Sequence, residues 1–137
     1  MKLSDAMREK MLLSFELFPP KTDKGMENLP GTIEHLCKYK PEYISCTYGA
    51  GGTNVGKNMD VCKMIKDAGT IPVTHFTCIG NTAEGIKEQL QNYLDNGVDH
   101  MLALRGDLPF GWTVPAAISL MQQTWWHMFV KSLVIKS

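Results

Sequence analysis

The chain has 137 residues, of which 44% are hydrophobic and 20% are charged, so it is long enough for one folded domain. Lysine plus arginine and aspartate plus glutamate each total 14, and the basic residues form no stripe, which argues against a nucleic-acid partner. The four cysteines include no Cys-x-x-Cys pair, which excludes the usual zinc-ribbon and redox-pair patterns and favours reduced thiols in a cytosolic protein.

Two segments bear on the cellular location. Residues 1–10 are polar and charged, so they lack the apolar core of a secretory signal. The longest uncharged run, residues 108–130, is interrupted by polar residues and by Pro109 and Pro115, which is atypical of a transmembrane helix. We therefore expect a cytoplasmic protein with no membrane partner, in which this run is soluble or at most interfacial.

The first strand is predicted over residues 12–18, where apolar and polar side chains alternate and a Pro-Pro pair follows. The alternation places Ser14 and Glu16 on the polar face. A helix is predicted to begin at about Pro30, because proline is tolerated in a first turn, and to stop at Pro41.

The second strand is predicted over residues 43–47, with Ser45 and Thr47 on one face, and it opens into a glycine-rich loop. Asn54 is a candidate N-cap for the next helix, and Gly69 is positioned to end it.

The third strand, residues 71–77, places Val73, His75 and Thr77 on one face. The helix after it is predicted to start at Asn81 or Thr82 and to end at Gly97. The predicted apolar face of this helix consists of Ile86, Leu90, Tyr93 and Leu94. A fourth strand follows at residues 100–104.

The predicted strands start 31, 28 and 29 residues apart, which is the spacing of a parallel α/β sheet. An open doubly wound sheet and a (β/α)₈ barrel both fit this spacing. The barrel is favoured because polar residues recur on one face of the strands, whereas open sheets are usually apolar on both. A whole barrel needs about 250 residues, so four units make half of one. The inward polar set is Ser14, Glu16, Ser45, Thr47, His75 and Arg105.

The segment after Trp112 has a different composition. Residues 114–137 contain no aspartate or glutamate. A helix could begin at about Pro115, but no fifth βα unit is recognisable. We expect a barrel-like part over residues 1–113 and a divergent tail over residues 114–137.

Four motifs in unbroken order carry a family resemblance. They are Ser14-Phe-Glu-Leu-Phe-Pro-Pro-Lys21, Thr47-Tyr-Gly-Ala-Gly-Gly52, Thr74-His-Phe-Thr-Cys78 and Leu104-Arg-Gly-Asp-Leu-Pro109. Over residues 11–113 the chain resembles the 5,10-methylenetetrahydrofolate reductase family. The resemblance implies the first half of a (β/α)₈ TIM barrel, about four βα units, with the divergent tail appended.

The resemblance also implies an oxidoreductase of one-carbon metabolism, tetrahydrofolate interconversion and methionine biosynthesis. In that reaction NADH or NADPH reduces FAD, and the flavoprotein then converts methylenetetrahydrofolate to 5-methyltetrahydrofolate. By motif position Glu16 is the implied general acid and Asp107 the implied catalytic aspartate beside the flavin. The implied FAD contacts are Thr47, His75, Arg105, Gly106 and Asp107; no metal ligand is implied.

The residues themselves leave other roles open. Glu16 could be a structural carboxylate paired with Arg105, and His75 could be a core histidine with its hydrogen bonds satisfied. Arg105 could pair with Asp107 instead of facing a cofactor.

The family pattern continues through four further βα units that this chain does not contain, so we expect a truncated family member. A half barrel leaves strand edges unpaired, which favours a homo-oligomer or a complementary half-barrel chain as partner. The alternative functions are a non-catalytic half-barrel that binds flavin or a partner chain, and an inactive product.

Overall fold

The computed structural model describes residues 3–48, 55–77, 82–104 and 133–134. Helices and strands alternate along these ranges. In chain order they are α1 (Leu3–Glu9), β1 (Ser14–Leu17), α2 (Asp23–Cys37), β2 (Tyr43–Cys46), α3 (Val55–Asp67), β3 (Ile71–Thr77), α4 (Ala83–Asp95), β4 (His100–Leu104) and β5 (Leu133–Val134).

The strands form one parallel sheet in the order β1-β2-β3-β4-β5. Sequential parallel strands joined by helices are the arrangement of half of a (β/α)₈ barrel, which confirms the predicted fold class. The four predicted strands are present. The fifth, Leu133–Val134, was not predicted and pairs with β4. The remainder of the predicted tail, including the helix from Pro115, lies outside the described residues.

The main core lies between α2, α3 and α4 and one face of the sheet. Successive side chains of a strand point to opposite faces, so the residues in alternate positions of β2 and β3 face the helices. Ile44, Cys46 and Phe76 are fully buried there, against Ile33 of α2 and Ile65 of α3. This face is the apolar layer that the predicted periodicity requires.

Two helices end at glycines with a left-handed backbone, as predicted. Gly69 has a φ of 86° and Gly97 a φ of 73°. After α3, Gly69 N–H donates to Lys66 O and Thr70 N–H donates to Ile65 O, the pair of bonds that defines a Schellman motif. The same pair follows α4. The predicted helix start at Asn81 or Thr82 is also confirmed, because Thr82 is the N-cap of α4 and its hydroxyl accepts from Gly85 N–H at 3.1 Å. Asn54 and Asn81 lie outside the described residues.

The predicted start of the first long helix at Pro30 is wrong. Helix α2 begins seven residues earlier at Asp23, with Thr22 as N-cap, and continues through Pro30. A proline in a helix interior removes one backbone hydrogen bond and costs about 3 kcal/mol. Leu29 and Ile33 on either side are buried in the core, and their burial offsets that cost.

The predicted apolar face of α4 is correct at three of its positions. Ile86, Leu90 and Tyr93 are buried, but Leu94 is 55% exposed. Leu94 lies at the flank of the stripe, where it lines a cavity of about 220 Å³ beside Val98 and Met101 instead of entering the core.

The buried thiols behave as core residues. Cys46 and Cys62 are fully buried and free of disulfide bonds. A hydrogen bond with Cys62, together with burial, raises the pKa of the Cys46 thiol far above neutral pH, so it stays protonated.

Among the described residues, no helix is long and apolar enough to span a membrane.

Candidate functional site

The other face of the sheet carries the polar residues. Parallel pairing aligns Glu16 with Ser45 and Ser45 with Val73, and paired residues of neighbouring strands point to the same side. His75 lies two residues after Val73 and therefore shares that side. The predicted inward set is thus brought together at Glu16, Ser45 and His75.

A cavity of about 300 Å³ lies on this face. Its lining extends from the first residues of β1 and β2 to Glu16 and His75, and α1 contributes Leu3 and Met7. Leu3 is buried, and helix α1 covers one part of this face of the sheet. The predicted residues Ser14, Ser45, Glu16 and His75 all line the cavity.

Glu16 and His75 lie next to each other on the wall of this cavity. Their nearest atoms, Glu16 Oε2 and His75 Nε2, are 3.6 Å apart, which is too long for a hydrogen bond but close enough for electrostatic coupling. The Glu16 side chain is 50% exposed and the His75 side chain 10%. The carboxyl is therefore accessible to a ligand, while the imidazole forms part of the buried wall.

His75 Nε2 is a buried nitrogen without a hydrogen-bond partner among the described residues. Buried polar atoms are nearly always paired, so an unpaired one at a cavity wall indicates a place for a ligand atom or a water. Within the part of the chain that the structure describes, Nε2 makes none of the hydrogen bonds expected of a core histidine, and the role of His75 stays a prediction.

Burial lowers the pKa of His75 below its usual value, and the nearby Glu16 carboxylate opposes that shift without overcoming it. The imidazole is consequently neutral at pH 7. A neutral imidazole can donate from one ring nitrogen and accept at the other, so either a donor or an acceptor of a bound ring could pair with Nε2.

Thr47 follows the last residue of β2 at the same end of the sheet. Its N–H donates to Leu17 O at 2.9 Å, which extends the pairing of β1 and β2 by one residue. Thr47 is not among the residues that line the cavity, so its predicted contact with a cofactor stays a prediction. Arg105, Gly106 and Asp107 lie outside the described residues, and their roles and the alternative ion pairs stay predictions too.

Sequence reasoning missed Asn58. This residue of α3 is fully buried, and its amide Nδ2 donates to the carbonyl oxygens of Cys46 at 3.2 Å and Thr47 at 2.9 Å. A signal was present, because Asn58 lies four residues before the buried Cys62 and so falls on the apolar stripe of the helix. An amide in that stripe requires buried partners.

Comparison with known proteins identifies one family. The family model for methylenetetrahydrofolate reductase matches residues 2–122. The 5,10-methylenetetrahydrofolate reductase of Pectobacterium carotovorum subsp. carotovorum is 38% identical over 104 residues, which are 75% of this chain and 35% of that protein. The enzyme of the same name from Escherichia coli (strain K12) is 39% identical over 100 residues, 72% of this chain and 34% of that protein.

A plant protein is also similar. Methylenetetrahydrofolate reductase (NADH) 1 of Arabidopsis thaliana is 36% identical over 99 residues, 72% of this chain and 17% of that protein. The chain thus spans about a third of the length of the bacterial relatives it matches, and less of the plant relative.

Proposed function

Because this chain belongs to the methylenetetrahydrofolate reductase family, we propose that its polar sheet face takes part in flavin-dependent reduction of 5,10-methylenetetrahydrofolate. The product is 5-methyltetrahydrofolate and the reductant is NADH or NADPH. The observation that supports this proposal most directly is the half-exposed Glu16 carboxyl beside the buried, unpaired Nε2 of His75 on a shared cavity wall.

Glu16 is proposed as the general acid. Reduction of the methylene bridge needs a proton on the ring nitrogen that separates from the bridging carbon, and a carboxyl at the edge of a cavity can donate it. Its half-exposed position also gives the resulting carboxylate access to solvent, from which it recovers a proton. His75 is neutral at pH 7 and therefore places no full positive charge beside the carboxyl that would oppose protonation.

The cavity fits part of a flavin. When bound, FAD supplies the carrier that moves a hydride from the nicotinamide to the folate. A volume of about 300 Å³ is at the lower end of ligand pockets and accommodates a ring system, not a whole dinucleotide. We propose that His75 Nε2 pairs with a polar atom of the ring, and that Thr47, Arg105, Gly106 and Asp107 hold the rest of the cofactor, with Asp107 beside the reacting centre.

The test is a titration of the full chain with FAD, followed by flavin fluorescence, and then a steady-state assay with NADH or NADPH. Asp107→Ala and His75→Phe should weaken flavin affinity about tenfold or more, a loss typical of one or two removed hydrogen bonds. Glu16→Gln should bind flavin within about twofold of the unsubstituted chain but lose turnover by about 100-fold or more. Absence of saturable flavin binding by folded protein would refute the proposal.

A second candidate, binding of a partner chain, has a specific observation behind it. Within the described residues β1 pairs only with β2, so its other edge carries no strand. Met11 is 95% exposed and Phe18 70% exposed at the two ends of β1. Unpaired edges flanked by apolar residues favour association with another strand. Light scattering during size-exclusion chromatography tests this: a monomer at all concentrations would exclude both a homo-oligomer and self-complementation.

A further inference from the structure

Behind the polar face, on the helix side of the sheet, Asn58 is the centre of a buried hydrogen-bond network. Its Oδ1 accepts from the Tyr93 hydroxyl at 2.7 Å and from the Thr74 hydroxyl at 2.8 Å, while its Nδ2 donates to two carbonyls at the end of β2. We propose that Asn58 is a positioning residue for the candidate site: it fixes the strand ends that carry Glu16, Thr47 and His75, without touching a ligand itself.

The orientation of the Asn58 amide follows from its partners. Carbonyl oxygens only accept hydrogen bonds, so the two at Cys46 and Thr47 require the NH₂ group. The hydroxyls of Tyr93 and Thr74 can donate, so they require the oxygen. Burial raises the pKa of Tyr93, and its phenol therefore stays protonated as a donor. Both Nδ2 hydrogens and the oxygen are in use, and no smaller polar side chain supplies two donors and an acceptor together.

These bonds reach the three strands that carry Glu16, Thr47 and His75. On β2, the Asn58 amide holds the Thr47 carbonyl, and the N–H of Thr47 in turn holds Leu17 O, one residue beyond Glu16 on β1. On β3, Asn58 Oδ1 holds Thr74, the residue immediately before His75. The Thr74 hydroxyl also lies 3.0 Å from His75 O. One fully buried side chain therefore sets the relative position of the two site residues that are 3.6 Å apart.

The network explains why an amide occupies the apolar stripe of α3. The backbone carbonyls of Cys46 and Thr47 lie at the last residue of β2 and just beyond it, and both accept from the Asn58 amide. A leucine of similar size would leave these two carbonyls and two hydroxyls without this partner. Buried groups left in that state shift to find other partners, and the strand ends would move with them.

The matched control is Tyr93→Phe. It removes one hydrogen bond from the same Asn58 oxygen but keeps both bonds from the amide to the β2 carbonyls. Asn58→Leu removes all of them. A purely stabilising role predicts that both variants affect the strand ends in proportion to their loss of global stability. A positioning role predicts that Asn58→Leu loosens the strand ends by more than its loss of global stability accounts for.

The first experiment measures hydrogen exchange of backbone amides by NMR in the full chain. The Thr47 N–H, which donates to Leu17 O, should exchange about tenfold faster in Asn58→Leu than in Tyr93→Phe, after each is normalised to the amide of Ile44 in the middle of β2. Equal normalised rates would overturn the proposal.

If Asn58→Leu does not fold, the unsubstituted protein still decides the question. The Nδ2 protons of Asn58 should exchange on the order of 100-fold more slowly than those of the exposed Asn92. Similar rates for the two side chains would show that the amide is not held by the strand ends, and would overturn the proposal.

The second experiment rests on the proposed function and measures flavin affinity. Asn58→Leu should bind FAD about tenfold more weakly than Tyr93→Phe, which should itself stay within about twofold of the unsubstituted chain. Equal affinities of the two variants would overturn the link to the site. If the unsubstituted chain does not bind FAD, the proposed function fails, and the exchange experiments alone then decide the role of Asn58.

Discussion

Replacing His75 by phenylalanine should stabilise the protein while weakening its site. Leaving a buried nitrogen unpaired costs about 1–3 kcal/mol, and His75 Nε2 is such an atom among the described residues. Attraction to Glu16 Oε2 at 3.6 Å recovers part of that cost, and the larger phenyl ring has to extend into the neighbouring cavity. We therefore expect His75→Phe to raise the free energy of unfolding by about 1 kcal/mol.

The pH dependence of stability provides a second test of the His75→Phe variant. Because the pKa of His75 is lowered in the folded state, the unfolded chain binds more protons once the pH falls below the usual histidine value of about 6.5. Stability should therefore decrease from about pH 6.5 downward to the folded-state pKa. The phenylalanine variant should lose this component.

Urea unfolding followed by circular dichroism measures both effects, and a thermal scan should show a rise in Tm of about 3–4 °C for a chain of 137 residues. His75→Gln is the control, because it keeps a buried polar group and should give no gain. A less stable His75→Phe at pH 7, with an unchanged urea dependence, would refute the inference that Nε2 lacks a partner in the free protein.

Two further predictions concern backbone and surface charge. Gly69→Ala should lower stability by about 1–2 kcal/mol, because its φ is 86° although the space around the added Cβ is open. Gly31→Ala is equally open but lies inside α2, so it should raise stability by about 0.5–1 kcal/mol. A change of the same sign for both variants in urea unfolding would contradict this reasoning. A hydrogen bond from Lys10 lowers the pKa of Glu42, so that the stability from this carboxylate is present above about pH 4.5 and lost as the pH falls through the folded-state value. Glu42→Gln should weaken the dependence of stability on pH in this acidic range. If the unfolding midpoints of the variant between pH 3 and 6 match those of the unsubstituted chain, the bond contributes nothing in solution.

Helix α2 shows where local signals mislead. Proline suggests a first turn, and the chain around Pro30 therefore predicts a helix start there. The actual start is set by Thr22, whose hydroxyl accepts from Gly25 N–H at 3.1 Å, and by burial of Leu29 and Ile33. Thr22 is an equally local signal, but choosing between the two depends on core packing that one segment does not contain.

Local sequence patterns specify the order of the βα units, the glycine caps of α3 and α4, the threonine cap of α4, and the strand positions of Glu16 and His75. These depend on residues within a few positions of each other, and the family motifs fall on the same strand ends. The tertiary structure decided that Glu16 Oε2 and His75 Nε2 lie 3.6 Å apart and that Asn58 joins β2, β3 and α4 from behind. Such contacts require the register between strands, which is set by packing of the whole sheet against its helices, and no local pattern of residues specifies it.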